Sequence, residues 1–547
     1  MQTVQKAKKR YSLFTNKQLL WLIAPIVIES IFSTSLGMFD SIMVSTIDAA
    51  GHASNAVSNV DFINNLIIQL FSAFATGGAI ITSQYLGGRD GENARKSAKH
   101  MLVLVLLFSL LIAAVCLALN YPLLKLFYPD VEGSLMELQR QYFYITAASF
   151  PFIGIFNGSA ALLRAQRRSM VTMVSAGISC VVNIALNALF IMVLQMGVSG
   201  AALATLIARA IPAIYMRVLL MSDKNVLTVK LFEKFKPDIK MVKHILFIAI
   251  PSGIESCLFQ LGKLMTNTFV NAGCYIHYDS AIGENINIQA NANTAANNLN
   301  NIASVVGSGV GTSCLTVIGQ AVGTGDVDCV KYYIKRMFVI SFIANAVAVA
   351  LIMGTCQWLI YMWDYPADAY PIAIKCLYLC LAFQFVTYPL SFTTPAILKA
   401  TSDVRYVMWS AISSMIVMRV GLCFLLADDA LTPWLLSTFG FKFELGAMGY
   451  WIAMCADWCM RSILFVSRLL TGRWKKASGM FKDNDASRLV SEEEGEKDDA
   501  HNEQGARNEQ EGEIAQFAEG GDVLQSEDGD KAVQAAGDTV RNTKIEQ

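Results

Sequence analysis

Histidine is scarce: five in 547 residues (His52, His100, His244, His277 and His501), scattered over loops and the ends of apolar runs. No HExxH and no DxxD set occurs. A polytopic membrane enzyme would need such a cluster for acid–base or metal chemistry, so an enzyme is not expected. The twelve cysteines contain no CxxC and no zinc-like spacing to histidine, and no metal site is expected. Most of them (Cys116, Cys180, Cys257, Cys376, Cys380, Cys423 and Cys455) sit inside apolar runs and read as core or lipid-side residues. The N-terminus MQTVQKAKKRYSLFTNKQ is basic, but no small-residue cleavage site follows. The next run is too long for a signal peptide, which makes it a retained first span.

Apolar residues are what the chain has in excess, at 54%, with a mean hydropathy of +0.44, too high for a soluble protein of this size. A formal charge of zero hides a division. Residues 477–547 carry 7 Lys and Arg against 19 Asp and Glu, a net of −12, so the preceding 476 residues stand at +12. The tail, taken as 471–547, is too polar to offset the entropy of ordering and is expected to be a disordered, solvated appendage.

Apolar windows of helical length fall at about 19–44, 57–83, 101–120, 141–163, 171–194, 200–221, 242–271, 299–320, 337–360, 371–398, 407–427 and 445–470. Twelve membrane helices follow, because only helices and closed barrels satisfy the backbone in lipid. Alternate loops carry the basic residues, among them Lys8 to Arg10, Arg89 to Lys99, Arg164 to Arg168, Lys224 to Lys243, Lys331 to Arg336, Lys399 and Arg405, and Arg473 to Lys476. The loops between (46–56, 195–199, 272–298 and 361–370) have no Lys or Arg. The positive-inside rule then puts both termini in the cytoplasm, as does the even span count, in a plasma membrane crossed many times.

The first run, Leu19 to Ser45, holds Pro25, Glu29 and Asp40. Proline removes one backbone hydrogen bond and bends a helix, and a charge at the bilayer centre costs at least ~2.5 kcal/mol. The pattern recurs at 248–271, where Pro251 precedes Glu255 as Pro25 precedes Glu29. The repeat continues with Gln84 against Gln320, Gly87 against Gly323, Asp90 against Asp326, LLRA (162–165) against ILKA (397–400), and GVSGAALAT (197–205) against GAMGYWIAM (446–454). Six helices per half make a parallel repeat, with a site expected between the halves. The boundaries are an N-terminal segment 1–18, halves 19–221 and 242–470, and a linker 222–241.

Pro25 with Asp40, the SQYLGG and GQAVGTGD segments, RAQRRSMVTMVSAGISCVVNIALNALFI and GVSGAALATLIAR together resemble the multidrug and toxic compound extrusion (MATE) transporters over roughly residues 15–470. The bent first helix and its aspartate look most like the bacterial DinF-like branch. The resemblance implies an all-α, V-shaped fold of two six-helix lobes. It also implies export of organic, often cationic, drugs driven by inward H⁺ or Na⁺, with no other cofactor. The expected partners are small organic substrates and the bilayer, not nucleic acid, for a monomer. Carried over residue by residue, the cation-coupling network would be Asp40, Asn157, Asn183, Asn187 and Thr205. Asn187 stands where the branch has a second aspartate, which leaves one titratable group. Glu255 lies closer to its proline than the glutamate of the NorM-like branch and does not inherit its role.

The residues themselves leave alternatives open. Glu29 and Asp40 are eleven positions apart, about 20° from three full turns and about 16 Å along one helix face. They suit two stations along a cavity, or Glu29 is simply a protonated interhelical partner. Glu255 and Lys263 either neutralise each other through neighbours or form a charged wall with Gln260, Thr266 and Asn267. Asp457 and Arg461 have ion-pair spacing on one helix, with Arg419 also structural, while Arg209 is expected to snorkel. The Asn-rich stretch 285–301 reads as a solvated loop that caps a helix. A flippase for lipid-linked precursors would need several inward basic residues, and only Lys263 and Arg419 lie deep enough.

Overall fold

A computed structural model describes residues 13–45, 52–129, 131–222, 226–229, 236–270, 276–279, 284–362, 368–427 and 445–477, without the side chains at 36–42, 45, 52, 276–279 and 284–286. They belong to one compact unit, Met1–Phe481. The acidic tail beyond 477, most of the linker and the first twelve residues lie outside this set.

The first half holds α1 (Asn16–Ser45), α2 (His52–Gly87), α3 (Gly91–Ala118), the short α4 (Asn120–Phe127), α5 (Gly133–Ala148), α6 (Phe150–Ala165), α7 (Ser169–Asn187) and α8 (Gly197–Met221). The second holds α9 (Ile239–Val270), α10 (Ile288–Gly323), α11 (Val327–Met362), α12 (Ala369–Tyr388), α13 (Thr394–Ala400), α14 (Val404–Ser414), α15 (Leu422–Ala427), α16 (Ala447–Leu470) and a final turn, α17 (Trp474–Ala477). Wide π-helical turns at Ala188–Val193, Pro389–Thr393 and Met415–Gly421 extend α7, join α12 to α13 and join α14 to α15. A hairpin of β1 (Ile276–Asp279) and β2 (Glu284–Asn287), antiparallel with Ile276 opposite Asn287, precedes α10.

Among the described residues, ten helical stretches are long and apolar enough to cross a bilayer, and α5 with α6, bent by 45°, makes an eleventh. The 24-residue α16, with Asp457, Arg461 and Arg468 along it, completes twelve. Two sequence expectations change. The window 141–163 is a broken helix: Ser149, at the break, donates to Thr146 O and accepts from Arg209, so Arg209 points inward and does not snorkel. The stretch 288–301 is no loop but the first turns of α10, and only Asn287 caps, accepting from Ala290 N at 2.9 Å.

The halves exchange helix beginnings. A Thr15–Gln18 capping box starts α1, in which Thr15 N donates to Gln18 and Gln18 N to Thr15. Phe14, Leu19, Leu22, Ile23 and Ile26 then bury themselves among Val310, Tyr333, Ile397 and Phe465 of the second half. Reciprocally, Met241, Ile245, Ile248 and Ala249 of α9 lie in a core with Ile80, Met101, Leu162 and Met216 of the first half. Beyond Pro25, α1 packs along α7 of its own half. Proline leaves the carbonyl four residues back without its helical donor, and Ser169 Oγ supplies one to Trp21 O at 3.1 Å.

A clasp closes the end where α2 and α10 finish. Gln84 Nε2 donates to Ala400 O at 2.9 Å, and Gln320 Nε2 donates to Ala165 O at 2.8 Å, each reaching into the other half. The receiving turns share one pattern: Arg167 and Ser402 both have φ near +65°, at 64° and 66°. Arg168 N bonds Leu163 O as Asp403 N bonds Leu398 O. Arg167 also grips Gln320 Oε1 through Nε (3.0 Å) and Nη2 (2.6 Å), and lies 3.9 Å over the Phe14 ring. At this end Asp90 caps α3, and bonds from Asn93 hold its carboxyl below the usual carboxylate range.

Backbone contact at the clasp requires glycine. A Cβ on Gly87 would collide with Gln320 O, and one on Gly323 with Gln84 O. Gly87→Ala and Gly323→Ala should each lower stability by about 1–3 kcal/mol, as overpacking does. A thermal unfolding series would show it, with Gly354→Ala as the control, since a Cβ there meets nothing and the midpoint should hold or rise.

Candidate functional site

At the end opposite the clasp, two cavities of about 600 and 340 Å³ share Asn65, Gln260 and Asn301 as lining. Both volumes fall in the range of small-molecule sites. The larger lies in the first half, between Ser33 and Thr34 of α1, Asp61 and Asn64 of α2, Asn157 of α6, and Arg209 of α8. The smaller faces the second half, with Lys263 and Asn267 of α9, Thr294, Asn297 and Asn298 of α10, and Tyr450 of α16. Lys263, Asn267, Thr294 and Asn301 are exposed to this cleft.

Polar side chains inside membrane helices need partners, and here they form chains. Asn187 Nδ2 donates to Asn183 Oδ1 at 3.2 Å, and Asn183 Nδ2 to Thr205 Oγ1 at 3.4 Å, all three buried. Asn157 lines the larger cavity, and its buried Nδ2 has no hydrogen-bond partner among the described residues. Asp40 stands on α1, but its side chain lies outside the described residues. Asp61 accepts from Asn64 Nδ2 and Tyr142 Oη, both at 3.3 Å. On the other side, Asn293 Oδ1 accepts from Asn297 Nδ2 (3.0 Å) and Trp451 Nε1 (3.1 Å), while Asn293 Nδ2 donates to Asn267 at 2.9 Å.

Glu29 and Glu255 occupy equivalent places. Arg164 Nη1 is 2.7 Å from Glu29 Oε1, and Thr172 Oγ1 donates to Oε2 at 2.6 Å. Lys399 Nζ is 2.7 Å from Glu255 Oε2. Glu29 is therefore ion-paired, and neither glutamate is among the lining of the two cavities. Nor does Glu255 neutralise Lys263, whose ammonium instead sits 5.1 Å from the Phe259 ring. Arg164 and Lys399, read from sequence as loop cations, are in the last turns of α6 and α13. Their signal was present in the aligned LLRA and ILKA. Pro25 and Pro251 lie inside α1 and α9, four residues before these pairs.

Sequence reading passed over Asp61, a carboxylate in the second apolar window, and the adjacent Asn64–Asn65 pair. The Asp457–Arg461 pair expected from its spacing is present and buried, with Arg461 Nε at 3.0 Å from Asp457 Oδ1. Arg419 joins the same carboxylate at 3.6 Å.

A family model described as MatE matches residues 25–189 and 291–425. The probable multidrug resistance protein NorM of Thermotoga maritima is 24% identical over 497 residues, covering 85% of this chain and 97% of that protein. The uncharacterized transporter YisQ of Bacillus subtilis is 26% identical over 477 residues, 86% of this chain and 96% of its own. Among solved structures, a MATE protein in a bent conformation superposes with a TM-score of 0.71 at 22% identity, over 84% of this chain and 96% of that one. A MOP superfamily transporter from Pyrococcus furiosus gives 0.72 at 22%, over 85% and 96%. These likenesses show the fold.

Removing one partner of a buried ion pair leaves a charge stranded, so Glu29→Gln and Arg164→Gln should each cost about 3–5 kcal/mol. The double variant should cost clearly less than the two singles together, in a thermal-melt double-mutant cycle. Additive losses would mean the two side chains do not interact. Glu255 and Lys399 should repeat the result.

Proposed function

The chain belongs to the MatE family, and from that premise we propose that it is a secondary active exporter of organic compounds or toxic metabolites, exchanging them for H⁺ or Na⁺ by alternating access between its halves. The observation that carries the reading is the placement of cleft and clasp at opposite ends of α2 and α10. A solute held in the cleft meets open space at one end and, at the other, two glutamines and two glycines that close the halves on each other. Opening the clasp and shutting the cleft exchanges the accessible side without moving the solute. The clasp end carries the basic loops and is the cytoplasmic one, in a plasma membrane. The arrangement is then the outward-facing state. The relatives' names, a multidrug resistance protein and a transporter, support export.

Ion coupling is assigned to the first half. Asn157 of α6 and Asp61 of α2 line its cavity, Asn183, Asn187 and Thr205 form a buried chain of amides and a hydroxyl on α7 and α8, and Asp40 of α1 is carried over as the coupling carboxylate. A carboxylate gives a proton an acceptor, and a ring of amide and hydroxyl oxygens suits a hard cation. Occupation by the ion and by the solute would draw on the same cavity, which is what antiport requires. Gln260 and Lys263 form the solute-facing wall across the cleft. Glu29 and Glu255, held in ion pairs, fix the two proline-containing helices α1 and α9.

In proteoliposomes loaded with ethidium, a proton or sodium gradient imposed separately should drive efflux, and Asp40→Asn or Asp61→Asn should abolish it for the coupling ion. Efflux that ignores both gradients would sink the antiport reading. A second measurement addresses the motion. Gly319 faces Ser83 so closely that a Cβ there would lie 3.0 Å from Ser83 Cβ. The disulfide of Ser83→Cys with Gly319→Cys should stop transport, and dithiothreitol should restore it. Undiminished transport by the oxidised variant would exclude an opening clasp.

A further inference from the structure

Six charged side chains gather where α9, α13, the π-helical turn Met415–Gly421 and α16 meet: Lys263, Lys399, Arg419 and Arg461 against Glu255 and Asp457. One of the four cations, Lys399, is matched to its own carboxylate, Glu255. For the other three, Asp457 is the one carboxylate found in an ion pair among the described residues. Its Oδ1 is taken by Arg461 Nε at 3.0 Å and by Ser414 Oγ at 2.6 Å, and its Oδ2 is 3.6 Å from Arg419 Nη1. The local balance is therefore +2. Arg419 and Arg461 are 2% and 5% exposed, and the buried Arg419 Nε and Arg461 Nη2 have no acceptor. Among the described residues Lys263 has no carboxylate partner.

These three cations surround one ring instead. Lys263 Nζ lies 5.1 Å from the Phe259 centroid, and the guanidinium carbons of Arg419 and Arg461 lie 5.3 and 4.6 Å away. A cation–π contact is worth about 0.5–2 kcal/mol, whereas withdrawing each of the two buried guanidiniums from water carries a penalty of several kcal/mol. One ring shared three ways cannot close that gap. Arg419 also reaches Tyr450 Oη at 3.5 Å, and Tyr450 and Lys263 both line the smaller cavity. The unmatched charge thus lies along one wall of the cleft, with Lys263 at its surface and the guanidiniums behind. Placing Arg419 in a wide helical turn fits a functional position, where such turns concentrate.

We propose that this wall is an anion-binding subsite, and that the exported solute carries a carboxylate, sulfonate or phosphate group that docks on Lys263 with Arg419 and Arg461 supporting it. The solute's apolar body lies against Phe259 and the amide-lined remainder of the cleft. This rests on the exporter reading and narrows it away from purely cationic drugs. Arg461 also supplies the third inward cation that the sequence did not reveal, so the anion's source is either a soluble organic acid or the headgroup of an acidic lipid.

The test uses the purified full chain and two probes of one aromatic body, 2-naphthalenesulfonate and 2-naphthyltrimethylammonium, in equilibrium dialysis. The sulfonate should bind, and Lys263→Gln should weaken it about tenfold or more, the range for losing a hydrogen bond to a charged group. Lys263→Arg should retain it. Because Lys263 is exposed to the cleft, the variant's unfolding midpoint should match wild type, which separates loss of the subsite from misfolding. Binding of the ammonium alone, or sulfonate binding indifferent to Lys263→Gln with the fold intact, would overturn the proposal. In nanodiscs, displacement of the sulfonate by phosphatidylglycerol but not phosphatidylcholine would support the subsite and assign it to a lipid headgroup. Lack of displacement by either would support it for a soluble acid. Since binding is read without any gradient, failed efflux with intact sulfonate binding would reject the exporter reading and leave the subsite standing.

Discussion

The structure depends on two proline-containing helices that each belong to both halves. α1 begins in the core of the second half and, past Pro25, runs along its own; α9 does the reverse at Pro251. Just beyond each proline an ion pair, Glu29 with Arg164 and Glu255 with Lys399, returns the helix to the half that encodes it. The ion pairs are anchors of position more than sources of net stability, since a buried pair roughly balances its own desolvation. What they do is specify: with one charge buried, the other must be adjacent. Each proline removes one helical hydrogen bond, and at Pro25 Ser169 satisfies the carbonyl left behind.

Given those crossings, the cleft and the clasp follow. Two helices exchanged near one end hold the halves together there, and the Gln84 and Gln320 side chains add directional bonds to backbone carbonyls across the seam. Gly87 and Gly323 let the backbones meet across the seam. The cleft end is lined instead by asparagines from α2, α9 and α10, and the amides of Asn267, Asn293 and Asn297 bond one another.

Much of this was legible in the sequence. Twelve apolar windows and the paired Pro–Glu motifs pointed to the architecture, and the alignments of Gln84 with Gln320 and of LLRA with ILKA marked, as repeat positions only, residues that the structure places in the clasp and the ion pairs. What could not be read was which aligned residues touch. Arg164 and Lys399 looked like solvated loop cations because a helix's last turn and the loop after it share one composition. The start of α10 offers a parallel case: the polar run at 289–301 resembles a loop, since nothing in a single sequence separates solvent-facing amides from cavity-facing ones. Asp61 was lost inside a long apolar window, and Arg461 was assigned wholly to Asp457 because intrahelical spacing says nothing of the charges brought by α9 and the turn at Met415–Gly421.

The exchange of helix beginnings has a bearing on how the chain is made. The residues that receive Phe14 to Ile26 lie at Val310 to Met337, Ile397 to Ala411, Phe465 and Trp474, so they are synthesised some three hundred positions or more after α1. Contacts this distant in sequence are slow to form. The amino-terminal leg of α1 must therefore wait in the membrane, its apolar face held by lipid, until nearly the whole protein has been inserted. The second half, reciprocally, cannot seat α9 without the first. Neither half is a self-sufficient folding unit, and the order of translation makes the first helix to enter the bilayer among the last to reach its final neighbours.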